Sequence, residues 1–116
     1  MPLEMRGAQA LHLWHQVSLA LVRNQSQDLS ARQLTILLSV YLTPPPHTVK
    51  GLAETMNVAK PAITRALDAL SAQKLIARRR DAADKRNVLI KRTVQGATYL
   101  ENLSELVLEK ARELPR

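Results

Sequence analysis

"TVKGLAETMNVAKPAITRALDALSAQKL", residues 48–75, contains two amphipathic segments separated by a corner of about three residues. The apolar spacing predicts a short helix over about residues 49–56, with Thr48 as its cap and Leu52, Ala53 and Met56 turned inward. A second helix follows in "AKPAITRALDALSAQKL", with Ile63, Ala66, Leu67 and Leu70 as its buried stripe. Pro61 suits its first turn, where amides have no intrahelical partner to lose. Two short helices around so tight a corner are the signature of a helix-turn-helix, here about residues 48–73.

Working outward, the period changes after Lys74. "LIARRR" and "NVLIKR" read as short strands separated by "DAADK", with Val88 and Ile90 alternating on one face. This hairpin covers about residues 75–92, and its connection is long enough to predict a projecting, mobile loop. Thr93 opens the last helix, "VQGATYLENLSELVLEKAREL". Val94, Ala97, Leu100, Leu103 and Val107 form its stripe, and Leu106, Ala111 and Leu114 widen it. Gly96 costs some helix propensity and offers a point of close packing.

On the other side, "PPP" at 44–46 ends the preceding helix, since proline lacks the amide hydrogen and displaces its predecessor from the helical region. It reads as a rigid turn, with His47 as a turn residue. Ser30 precedes "ARQLTILLSVYL" as a capping residue, with Gln33 at the capping-box position. Leu34, Leu37, Leu38 and Tyr41 are the expected inner face of that helix. Further back, "ALHLWHQVSLALVR", residues 10–23, repeats Leu11, Trp14, Val17 and Leu21 at helical spacing, broadened by Ala10 and Leu13. The expected fold is mainly α with a small β hairpin: a winged helix-turn-helix with flanking N- and C-terminal helices, one domain across residues 1–116.

Charge is concentrated in the hairpin. Of the 116 residues, 74–92 carry eight basic and two acidic side chains, a net of +6, against +7 for the whole chain. So local a field attracts polyanions. An α-helix fits the DNA major groove, where base edges are distinguishable. The exposed positions early in the second helix of the motif are Lys60, Pro61, Thr64, Arg65 and Asp68. Arg65 has reach for guanine or phosphate, Thr64 can donate to either, and Lys60 is placed for phosphate; Asp68 is free to orient a nearby basic group. In the hairpin, Arg78, Arg79 and Arg80 stand on a strand, with Lys85 and Arg86 at the far end of the loop. A wing of this kind lies over the sugar–phosphate backbone and can place an arginine in the narrow minor groove. Asp84 can hold an arginine in a fixed pose; the plainer reading is that Asp81 and Asp84 only cap the loop or moderate its charge.

Other functions find little support. The chain has no cysteine, which excludes disulfides and thiolate metal sites. His12 and His15 lie three apart without a nearby carboxylate, and packing or surface roles suit them better than a metal. With only Gly7, Gly51 and Gly96 there is no glycine-rich phosphate loop, and no nucleophile motif occurs. No catalytic residue, metal or cofactor is expected. The first twenty-two residues lack both a signal peptide's pattern and a continuous membrane span, so a cytoplasmic protein without membrane association is the default.

The ordered set "LA", "ITR", "L", "LI" and "RDAADKR", with "LSARQLTILLSVYL" before it and "QG" at Gln95 and Gly96 after it, resembles the MarR family of winged-helix transcriptional regulators. The likeness extends over about residues 29–107. It implies that Asp84 and Arg86 form the family's acidic–basic wing pair, with the basic side chain near the minor groove. It likewise places Lys60, Pro61, Thr64 and Arg65 on the groove-facing part of the recognition helix. Members are usually homodimers on pseudo-palindromic double-stranded DNA, often repressors. Many respond to a small aromatic acid or to cysteine oxidation. Here the second route is closed, and a small-molecule effector has no residue in the sequence to support it.

Three features depart from the family pattern. Ala59 stands where a Ser or Thr cap is common. Arg92 stands where a leucine is usual, either pointing outward or covering the core with its stem. One helix after the wing fits, where members generally have two. The helices at about 9–24 and 94–114 are the expected dimerisation elements, through Leu11, Trp14, Val17 and Leu21 on one and Leu100, Leu103, Val107 and Leu114 on the other. Their stripes are wider than a small domain easily buries. A winged-helix interaction module or adaptor acting with another regulator is the alternative, although such a module has no need of eight cations between residues 74 and 92.

Overall fold

A computed structural model of the chain describes residues 4–24 and 28–115. The elements run α1 (Gly7–Asn24), α2 (Ala31–Leu42), α3 (Val49–Met56), α4 (Lys60–Ala72), β1 (Ile76–Arg80), β2 (Val88–Arg92) and α5 (Val94–Arg112). The chain divides into two compact units, Leu29–Leu100 and the terminal stretches up to Asp28 and from Glu101 onward, so the boundary falls within α5. No helix among the described residues is long and apolar enough to cross a membrane.

In the Leu29–Leu100 unit, local chemistry sets each boundary. The Ser30 hydroxyl accepts from the Gln33 amide at 3.1 Å while the Gln33 side chain accepts from the Ser30 amide at 3.0 Å, so the capping box is complete. Thr48 caps α3 by accepting from the Gly51 amide at 3.0 Å. Asn57 ends α3 in the left-handed region (φ 55°), a conformation that asparagine tolerates better than most residues. The corner to α4 is then Asn57, Val58 and Ala59. As the sequence suggested, Ala59 gives α4 no side-chain cap, and Pro61 lies in its first turn.

The core of this unit joins α2, α3, α4 and the hairpin. Ile63, Ala66, Leu67 and Leu70 are buried as the spacing predicts. The inner face of α2 differs from expectation: Ile36, Leu37 and Val40 are fully buried, whereas Leu34, Leu38 and Tyr41 are half-buried. This helix is apolar nearly all round, so its periodicity carries little information about which face turns inward. Val94 also departs, being 79 % exposed in the first turn of α5.

The hairpin is antiparallel, with Arg78 opposite Ile90 and Arg80 opposite Val88. Its second strand is tied to the start of the helix-turn-helix: Thr48 bridges to Leu89, and the Ile90 amide donates to the His47 carbonyl at 2.9 Å. His47 is therefore more than a turn residue; it is buried, and its backbone forms part of this seam.

A compact knot fixes where α5 begins. The Tyr41 hydroxyl donates to the Thr93 carbonyl at 2.7 Å and accepts from the Thr93 amide at 2.8 Å. Thr93 Oγ1 donates to the Lys74 carbonyl at 2.8 Å and accepts from the Gly96 amide at 3.0 Å, capping α5. Gly96 is buried directly beneath, where a Cβ would meet the Leu75 carbonyl and the Tyr41 hydroxyl.

In the other unit, Val17 is buried, and Leu13, Leu21, Leu103, Leu106, Val107 and Leu114 are half-buried. Leu11, Trp14, Val22 and Leu108 remain exposed. The Gln9 side-chain amide donates to the Pro115 carbonyl at 3.1 Å.

Candidate nucleic-acid interface

Pro61, Thr64, Arg65 and Asp68 recur three and four apart along α4, so they share one face, with Lys60 at its head. All five are exposed, because Ile63, Ala66, Leu67 and Leu70 take the opposite side into the core. Neither Lys60, Thr64 nor Arg65 makes a side-chain hydrogen bond or ion pair with another described residue, which leaves their polar groups available to a ligand.

The three consecutive arginines of β1 do not act alike. Strand alternation puts Arg78 and Arg80 on the face of Ile90 and Val88, and Arg79 on the opposite face with Leu89. Arg78 turns to α4, with its Nη1 at 2.7 Å from Asp68 Oδ1. Arg80 folds over the loop and donates to the Lys85 carbonyl at 2.7 Å. Arg79 has no side-chain partner among the described residues. Sequence reasoning weighted the three equally because a run of identical residues conceals the alternation. It also passed over Lys91, exposed on the same face as Arg79; the two-residue period was the available signal.

The loop between the strands is organised by its two acids. Asp81 accepts from the Ala83 amide at 2.9 Å and Asp84 from the Arg86 amide at 3.1 Å, so both cap turns. Asp84 also grips the Arg86 guanidinium with both oxygens, from Nε and Nη2 at 3.1 Å each. The Arg86 side chain nevertheless remains 90 % exposed: it is aimed, and it is not covered. That grip, with the Arg86 backbone amide second, holds the Asp84 carboxyl below the usual carboxylate range and raises Arg86 further. The lowered carboxyl fixes the sign of the pH dependence: the clamp is intact at neutral pH and is lost only as pH falls through the depressed value.

Arg92 does not join the outward cations. Its Nε donates to the Val40 carbonyl at 3.0 Å, and its guanidinium lies 5.6 Å from the centre of the Tyr41 ring. Val40 is in the last turn of α2, where carbonyls lack intrahelical partners and a cation is favourable. No basic residue of α2 itself lies in that turn, so β2 supplies one. Among the described residues no group of three or more His, Cys, Asp or Glu is placed to hold a metal ion.

The comparisons with known proteins agree with this geometry. Residues 29–88, more than half of the chain, match the MarR family. A mutant MarR from E. coli complexed with operator DNA is 27 % identical, with a TM-score of 0.68, covering 91 % of this chain and 70 % of that one. The YusO protein of Bacillus subtilis is 25 % identical, with a TM-score of 0.66 and coverages of 91 % and 70 %. A MepR–DNA complex from S. aureus has the same fold, with a TM-score of 0.76 at 23 % identity and coverages of 88 % and 82 %. No curated protein matches the chain. The tight helix pair, the basic hairpin and the matched residues agree: the chain belongs to the MarR family of winged-helix, DNA-binding transcriptional regulators.

Proposed function

We propose that the protein is a sequence-specific regulator that binds a pseudo-palindromic operator in double-stranded DNA as a homodimer and represses transcription from it. The observation that carries this reading is the pair of exposed basic surfaces on one unit: Lys60, Thr64 and Arg65 on α4, and the Asp84-clamped Arg86 at the wing tip. The helix supplies side chains of a size and polarity that read base edges, and the wing supplies charge for the backbone and the minor groove. Arg79 and Lys85 extend that charge along the hairpin.

Homodimerisation is supported by the exposed Leu11, Trp14, Val22 and Leu108, four large apolar side chains on the unit that lacks the basic face. A second copy carrying the same patch buries it symmetrically. Two recognition helices about one DNA turn apart, roughly 34 Å, then fit a pseudo-palindrome.

Selection of bound duplexes from a random DNA pool, with the mass of the protein measured in solution, tests both parts. The expected results are a palindromic consensus, affinity that falls steeply as salt rises, and a dimeric mass. Changing the exposed Leu11 and Trp14 together to Glu is expected to halve that mass. Failure to select any duplex overturns the DNA reading. A monomeric mass both free and on the selected duplex overturns the dimer, and a mass that needs a different chain favours the adaptor.

The two surfaces are expected to divide the work. Arg65→Ala changes which operator variants are preferred, by about 1–3 kcal/mol at the base pair it reads, whereas Lys85→Ala weakens all duplexes together. Competition with single-base operator variants checks this. Equal losses on every variant for Arg65→Ala reassign that arginine to phosphate.

A further inference from the structure

The outward face of α4 carries a residue that its proposed task does not explain. Pro61, Thr64, Arg65 and Asp68 share that face, and the fourth is an acid. A carboxylate on a surface that meets phosphates repels them. Mere solubility is a poor reason for it, in a segment whose neighbours supply so much positive charge.

Asp68 has a specific engagement. Its Oδ1 lies 2.7 Å from Arg78 Nη1, at the short end for a charge-assisted hydrogen bond. Arg65, one turn back on the same helix and therefore the nearer candidate by sequence, is not its partner. Arg78 is on β1, on the hairpin face that also carries the buried Ile90. Its side chain is 32 % exposed, against 59 % for Asp68, so the arginine is the more enclosed partner and the pair closes the gap between α4 and the wing. The pair thus joins the element that reads bases to the element that lies along the backbone.

We infer that Asp68 is a positioning residue: through Arg78 it sets where the wing stands relative to the recognition helix, and so sharpens discrimination among duplexes while reducing attraction to DNA in general. The inference rests on the proposed DNA binding and adds a role that contact with DNA does not require. It also reassigns Arg78, whose charge is largely spent on Asp68 instead of on phosphate. A half-exposed pair adds little to folding stability, so its value lies in geometry.

Simple electrostatics and positioning predict opposite signs for one substitution. Loss of the acid in Asp68→Asn strengthens binding to any duplex if Asp68 only repels phosphate. If it positions the wing, the selected operator is bound about tenfold more weakly while a scrambled duplex of equal length is bound about threefold more tightly. Asp68→Glu, which keeps the carboxylate, is expected to retain most of the discrimination. Arg78→Met is expected to lose it to the same degree as Asp68→Asn, and the double variant to be no worse than Arg78→Met within about twofold, since both remove one link.

Titration of wild type and the four variants against both duplexes, with thermal unfolding of each as a folding control, decides the matter. Tighter binding of Asp68→Asn to both duplexes, or losses that simply add in the double variant, overturns the inference. An operator selected by the wild type and bound equally well by Asp68→Asn also overturns it, and leaves the DNA reading intact. If wild type selects no duplex, both fall together.

Discussion

Gly96→Ala is expected to destabilise the protein by about 2 kcal/mol, although alanine is the better helix former. In an open helix the exchange gains up to about 1 kcal/mol. At Gly96 the added methyl meets the Leu75 carbonyl and the Tyr41 hydroxyl, with the ring carbon Cζ at 3.0 Å. The carbonyl is backbone at the foot of β1, and the hydroxyl is held from both sides by Thr93, so neither yields cheaply. Overpacking of this kind costs about 1–3 kcal/mol, and losing the Tyr41–Thr93 hydrogen bonds adds about 1 kcal/mol more. The steric term wins, and the melting temperature falls by roughly 10 °C for a domain of this size. Gly7→Ala is the control: nothing lies within 4 Å of its added methyl, and no loss is expected. Equal stability of Gly96→Ala and wild type in urea unfolding would show that the start of α5 is not seated on Tyr41.

Arg86→Ala is expected to cause the largest loss of operator affinity of any single change in the wing. A hydrogen bond from a charged donor is worth about 1.5–3 kcal/mol, which corresponds to roughly 10- to 100-fold in the dissociation constant. The two-oxygen grip of Asp84 fixes the guanidinium before DNA arrives, so little side-chain freedom is lost on binding. Arg86→Lys keeps the charge but not the planar fork, and is expected to fall between wild type and alanine. Asp84→Ala frees the arginine without removing it and is expected to cost less, about threefold. Fluorescence anisotropy with the selected duplex measures all three. If Arg86→Ala binds within twofold of wild type, the wing tip does not touch DNA.

What was readable in the sequence follows from the range over which each interaction acts. Ser30 with Gln33, Thr48 with Gly51, and the stripe from Ile63 to Leu70 depend on residues within one or two turns, and spacing alone locates them. The Asp84–Arg86 clamp spans only two positions, yet the residues alone said that Asp84 can hold an arginine, and the family resemblance supplied Arg86 as the one. The buried side of α2 was misplaced because Leu34, Ile36, Leu37, Leu38 and Val40 are all apolar, and only packing against α4 and β2 chooses among them. Long-range partners left weaker traces. Tyr41 and Thr93 are 52 positions apart, as are Arg92 and Val40, and nothing local marks either pair. Asp68 looked out of place among basic neighbours, which was a fair signal that it holds a cation. Only the strand register identifies Arg78, and not Arg79, as that cation.

Among the described residues, the ties between the hairpin and the helices stop one rung short of the loop. The hydrogen bond to His47, the bridge to Thr48 and the pair with Asp68 all engage it at or below the rung of Arg79 and Leu89. Beyond that anchorage lie one further residue of each strand, Arg80 and Val88, about 3 Å of ribbon, and then the whole loop. The wing tip is thus a short overhang with Arg86 at its free end. A tilt of a few degrees at the clamped end is magnified at Arg86, so a methyl group gained or lost at Leu75, Ile76 or Ile90 travels outward as a displacement of the tip. On the proposed DNA binding, side chains that never approach a duplex are then expected to share in deciding which duplex is gripped.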